Sequence, residues 1–106
     1  MDERTYARFE ARSRIIKALA HPSRLFIVDE LSRGRRCVKE LSTLVDADIS
    51  TVSKHLSILR EAGVVRDEKE GARVYYSLRV PCVLNFFSCV ESVMAENAKE
   101  RAELLE

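Results

Sequence analysis

The chain has 106 residues, 46% hydrophobic and 33% charged, and its 18 lysines and arginines against 17 acids give a formal net charge of +1. That length fits one small domain spanning residues 1–106. The composition is an ordinary, helix-rich one and not that of a disordered chain, and no apolar run approaches the roughly 20 residues that a bilayer-crossing helix needs. The opening stretch, "MDERTYARFEARSR", is charged and lacks the apolar core of a signal peptide, so the expected location is cytoplasmic. Three cysteines in such a compartment stay reduced, which favours metal binding or redox chemistry over a structural disulfide. Charge is placed unevenly: residues 1–80 hold 16 lysines and arginines against 12 acids, whereas residues 81–106 hold 2 against 5. A basic body permits nucleic-acid binding.

The first predicted helix covers residues 5–19, where Tyr6, Phe9, Ile15, Ile16 and Leu19 recur among arginines. In "HPSR", His21 is placed to cap a second helix and Pro22 to fill its first turn, where a missing N–H costs nothing. Leu25, Val28 and Leu31 space one apolar face of that helix, and Gly34 stops it. A short third helix starts near Val38, with Val38, Leu41, Leu44 and Val45 inward, and "DADIS" breaks it. Asp48 or Ser50 can cap the fourth helix, which runs to about Ala62 with Val52, Leu56 and Leu59 inward. The period then changes from 3.6 to 2. "VVRDE" and "RVYYSLR" predict two strands around "KEGA", with Gly71 supplying the turn. Pro81 then opens a long helix reaching towards Leu105. An isolated hairpin is marginal and should pack on the helices. The expected fold is a mostly α winged helix-turn-helix in the order α-α-α-α-β-β-α.

"ISTVSKHLSILREAG" is the informative segment. With Val52, Leu56 and Leu59 inward, its other face carries Ser50, Thr51, Ser53, Lys54, His55, Ser57 and Arg60. Short hydroxyl side chains at a helix start let the backbone approach base edges, and Lys54 and Arg60 can reach phosphates or guanine. Lys69, assigned to the turn, and Arg73, near the hairpin tip, can meet a neighbouring phosphate. The competing reading is a solvated helix and a strand edge guarded by charge. The last predicted helix carries two apolar stripes. One is Leu84, Phe87, Val90 and Met94, and the other is Cys82, Phe86, Cys89 and Val93. So wide a sector calls for two partners, for example the domain's own core and a second subunit. Terminal helices used for dimerisation are therefore expected.

"ALAHPSRLFIVDELSRG" and "CVKELSTLVDADISTVSKHLSILREAGVVRDEKEGARVYYSL" resemble the ArsR/SmtB-type arsenic- and metal-responsive repressors over roughly residues 17–79. The "HPSRL" entry, the "S-x-H-L-x-x-L-R-x-x-G-V-V" helix and the "EG-x-x-V-Y-Y-S-L" wing carry the resemblance. It implies a homodimer that binds a palindromic operator in double-stranded DNA and releases it when an effector binds. It also implies that Cys82 stands where zinc-sensing members place a histidine ligand. Cys37 matches the first cysteine of a C-V-C pair seen in arsenite- and cadmium/lead-sensing members. Two departures limit it. Lys39 stands where the second cysteine would be, and the zinc-type pattern of the last helix falls on Val80, Cys82, Val93 and Glu96, of which only Glu96 keeps its type.

Thiolates without imidazole suit As(III), Sb(III), Cd, Pb or other soft ions better than zinc or nickel. Cys37, Cys82 and Cys89 are the candidate ligands, and core packing is the competing reading. Seven residues of continuous helix separate the Cα atoms of Cys82 and Cys89 by about 10.5 Å, beyond the ~7 Å reach of a disulfide. A shared ion would need the helix to begin after Cys82, letting it fold back, or further partners such as Cys37. A helix start and the neighbouring Arg35 and Arg36 would favour the Cys37 thiolate. His21 and His55 are too far apart in sequence for a paired metal signature. No nucleophile triad, phosphate loop or catalytic carboxylate pair is present, so no enzyme is expected. The expected function is a DNA-binding repressor released by trivalent arsenic or another soft metal. The alternatives are a redox- or persulfide-sensing repressor and a protein-interaction module with structural cysteines.

Overall fold

The structure is a computed structural model, which describes residues 1–105. Helix α1 spans Glu3–Leu19 and starts at Asp2, whose carboxylate accepts from the Thr5 N–H at 2.8 Å. Glu3 in its first turn and Lys17 in its last match the helix dipole. Helix α2 spans Pro22–Leu31. His21 is its N-cap, with Nδ1 accepting from the Ser23 N–H at 3.0 Å, and Pro22 takes the first turn as expected.

Next comes an element the period analysis missed. Strand β1, Arg36–Cys37, runs directly into helix α3, Val38–Val45. Two residues are too few to show an alternation, so only the tertiary pairing reveals them. Helix α3 ends at Asp46 in the left-handed conformation (φ 61°), and helix α4, Ile49–Glu61, begins after Asp48. Strands β2, Val65–Glu70, and β3, Arg73–Leu78, form the hairpin, and helix α5 spans Val83–Leu104.

The sheet has the antiparallel order β1-β3-β2. Arg36 pairs with Tyr76 and Cys37 with Tyr75, which anchors the wing to the start of α3. The hairpin register runs from Val65–Leu78 to Glu70–Arg73, leaving Gly71 and Ala72 as a two-residue loop. Gly71, at φ +64°, supplies the positive φ that such a loop requires. Lys69 therefore lies in strand β2 opposite Val74, not in the turn where the sequence analysis placed it.

The core forms between α2, α3, α4 and the sheet. Ile27, Val28, Leu41, Val52, Leu56, Leu59 and Val65 are fully buried, with Tyr76 closing the sheet side. All three inward positions assigned to α4 are buried, and Tyr76 and its alternating neighbours Val74 and Leu78 face the core as the wing pattern requires. At the edges the assignments fail. Leu25 and Leu44 are exposed, while Ile27 joins Val28 and Leu31 in the buried face of α2.

Both terminal helices lie largely outside this core. Of α1 only Ala18 and Leu19 are buried, and Tyr6, Phe9, Ile15 and Ile16 are exposed. No residue of α5 is buried, although Val83 and Phe87 pack against the core. Phe86, Val90, Val93 and Met94 face solvent. The radius of gyration is 16.8 Å, against about 13 Å for a compact chain of this length. The two helices project from the body with apolar faces uncovered. No helix among the described residues is long and apolar enough to cross a membrane.

Candidate nucleic-acid interface and thiol groups

Helices α3 and α4 with the turn Asp46–Asp48 form the helix-turn-helix. Asp48 caps α4: its carboxylate accepts from the Thr51 N–H at 2.8 Å and from the Ser50 hydroxyl at 3.0 Å. The hydrogen bonds from Thr51, then that from Ser50, hold the Asp48 carboxyl below its ordinary value. Ser50 and Thr51 are thus fixed at the exposed start of the helix. Along the same helix Ser53, Lys54 and Ser57 line a shallow open hollow with Ile58 and Glu61, and the Lys54 side chain is exposed. The burial of Val52, Leu56 and Leu59 orients this hydroxyl and lysine face outwards.

The remaining expected contacts divide. Lys69 and Arg73 are exposed on the wing at the end of the hairpin, on the same body as α4. Arg60 is committed to Asp67 of β2, at 3.0 Å, so it braces the wing instead of standing free. His55 is only half exposed and turns towards α2. Its ring lies 4.5 Å from that of His21, and the Arg24 guanidinium lies 3.3 Å from its Nδ1. The two histidines set aside as too distant in sequence are therefore adjacent in space, because α2, which His21 caps, packs against α4. Nothing local to either residue signals this contact.

Arg35, which sequence reasoning assigned to the cysteine, lies just before β1 and reaches across to the wing. It bonds Glu70 at 2.6 Å and lies over the Tyr75 ring at 4.3 Å. Arg36 engages Glu40 at 3.3 Å, and Glu40 in turn accepts from the Cys37 N–H at 3.1 Å. Both guanidinium groups are thus bound to carboxylates, which corrects the expectation that they attend the Cys37 thiol. Cys37 itself is buried, 5% exposed, as the last residue of β1 and the N-cap of α3.

Cys82 and Cys89 are exposed and belong to α5 and its entry. The helix begins at Val83, later than the expected Pro81, yet Cys82 does not fold back. It has helical angles (φ −65°, ψ −9°), and the turn is closed by bonds such as Leu84 N–H to Pro81 O. Among the described residues no three histidine, cysteine or acidic side chains lie close enough to hold one metal ion. Cys37, Cys82 and Cys89 are therefore not gathered into one site within a protomer.

Comparison with known proteins follows the same outline. The model of the family described as "Bacterial regulatory protein, arsR family" matches residues 21–67, the region from the α2 cap into β2. The chain is 32% identical over 99 residues to an HTH-type transcriptional regulator of Mycobacterium tuberculosis, Rv0081, covering 92% of this chain and 87% of the relative. It is 43% identical over 65 residues to the arsenical resistance operon repressor of Escherichia coli, covering 60% of this chain and 56% of the relative. Several curated relatives are longer, and the chain spans 44% of one of them. Among solved structures, the homodimeric winged helix-turn-helix DNA-binding domain Mb0332 of Mycobacterium bovis aligns with a TM-score of 0.80 at 32% identity, covering 94% of this chain and 93% of that one.

Proposed function

The chain belongs to the arsR family of bacterial helix-turn-helix transcriptional regulators, which bind DNA, and on that premise we propose that it is a homodimeric repressor whose α4 and wing read a palindromic operator. One observation carries this reading. The exposed face of α4 is short and hydroxyl-rich at its start and bears Lys54 further along, while Lys69 and Arg73 stand on a wing braced to the same helix by Arg60–Asp67. A helix start of that kind can enter a major groove, with the wing against the adjoining backbone. Dimerisation is supported by the uncovered apolar faces of α1 and α5 and by the homodimeric neighbour. A two-fold pair would present two α4 helices about 34 Å apart, one turn of duplex. Action in the cytoplasm, where DNA and reduced thiols coexist, follows from the same reading.

The effector is a soft, thiol-binding species, with As(III) first and Sb(III), Cd or Pb as further candidates. The donor set of three cysteines fits such ions, and one relative is an arsenical resistance repressor. Because one protomer does not gather the three thiols, ligation would have to link α5 with another part of the dimer or move α5 on its own body. Either shifts the relative placement of the two α4 helices, and a coupling of ~1–3 kcal/mol would weaken operator binding ~5–150-fold. The exposure of Cys82 and Cys89 also supports a second reading, in which oxidation or persulfidation of these thiols is the signal. Operator release by arsenite in the presence of a reductant separates the two. Salt-sensitive binding to a palindromic duplex tests the DNA reading, and a chain that ignores every duplex would refute it.

A further inference from the structure

We propose that His21 and His55 form a proton-sensitive latch that holds the DNA-reading helix α4 against α2 in its uncharged state. The Ser23 N–H can only donate, so His21 Nδ1 accepts at 3.0 Å. The Arg24 guanidinium has no acceptor, so His55 Nδ1 must accept at 3.3 Å. Both imidazoles therefore carry their proton on Nε2 and are neutral in this arrangement. Their rings sit 4.5 Å apart, tilted by 47°.

Nothing in the cluster offsets added charge. Arg24 makes no ion pair with a carboxylate among the described residues, and its Nε is buried without a partner. The titratable and charged groups acting on His55 are His21, the N-cap of α2, and Arg24 within α2. A proton on His55 Nδ1 would displace the guanidinium and set a cation against it. A proton on His21 Nδ1 would expel the Ser23 N–H and remove the α2 cap. Either event breaks the polar contact by which the start of α2 holds α4, beside the apolar core the two helices share.

Partial burial, then His21 and Arg24, lower the His55 pKa from its ordinary 6.5. The unfolded chain takes up this proton more readily than the folded one. The latch therefore contributes fully above the ordinary value and loses strength as pH falls through it. The effect on DNA rests on α4 being the reading helix, whereas the latch itself does not, so it is tested without DNA.

The test follows the imidazole C–H resonances of the full chain by NMR as pH falls, together with urea unfolding at each pH. His55 is expected to titrate below 6.5, and stability to fall as pH drops from 6.5 through that lowered value. In His21→Asn, which keeps an acceptor for the Ser23 N–H, the His55 midpoint should rise towards the ordinary value and the fall in stability should shrink. His55→Gln, read by unfolding alone, should also flatten the profile. A wild-type His55 midpoint at or above 6.5 overturns the latch whether or not either variant folds. So does an unmoved midpoint in folded His21→Asn.

Discussion

The Arg60 guanidinium lies 3.0 Å from the Asp67 carboxylate, which ties the last turn of α4 to the first half of β2. The pair links α4 directly to the wing. Both partners are more than a third exposed, so the pair is worth only about 0.2–1 kcal/mol. Its larger consequence is electrostatic, since Asp67 neutralises a cation that would otherwise face DNA. Asp67→Asn is expected to leave urea stability within about 1 kcal/mol and to tighten duplex binding severalfold. Unchanged affinity in a gel-shift titration would place Arg60 outside the interface.

If Lys54, exposed on α4, contacts phosphate, Lys54→Ala should weaken binding to all duplexes alike, since phosphate contacts carry no sequence information. The slope of log K against log salt should become shallower by roughly one unit per lost contact. An unaltered slope would show that Lys54 makes no ionic contact.

Val93 and Met94 are exposed on α5, at 58% and 55%, whereas Phe87 on the stripe first assigned to Met94 packs against the protomer's own core. The two positions should therefore respond differently. Val93→Asp is expected to give a folded monomer, seen by sedimentation at micromolar concentration with an unchanged helical spectrum. Phe87→Ala should instead lower stability, by less than the ~3–5 kcal/mol of a fully buried phenylalanine. A Val93→Asp protein that remains dimeric would move the interface away from this face.

The cysteines should separate by burial. Cys82→Ser and Cys89→Ser, at exposed sites, should leave thermal stability unchanged and abolish release of the operator by arsenite. Cys37→Ser places a hydroxyl in a buried position, and is expected to lower stability by about 1–3 kcal/mol as well as blunting the response. Arsenite release that survives all three changes would exclude thiolate sensing.

Elements whose pattern is local were legible from consecutive residues alone. Val52, Leu56 and Leu59 recur at helical spacing and are all buried, which turns Ser50, Ser53, Lys54 and Ser57 outwards without reference to the rest of the chain. Alternation around Tyr76, together with Gly71, likewise places the wing, since a strand's period and a turn's φ are properties of a few consecutive residues. Pairings between distant segments are not encoded that way. The β1–β3 ladder, the Arg60–Asp67 brace, the attachment of Arg35 to Glu70 and the His21–His55 contact join residues up to 40 positions apart in the chain. Each depends on where the helices pack, so only the tertiary structure could decide them. The same holds for the thiols. Composition marks Cys37, Cys82 and Cys89 as soft donors, but only the fold shows one buried at the root of the wing and two exposed on a projecting helix, because distance in space is set by packing and not by residue type.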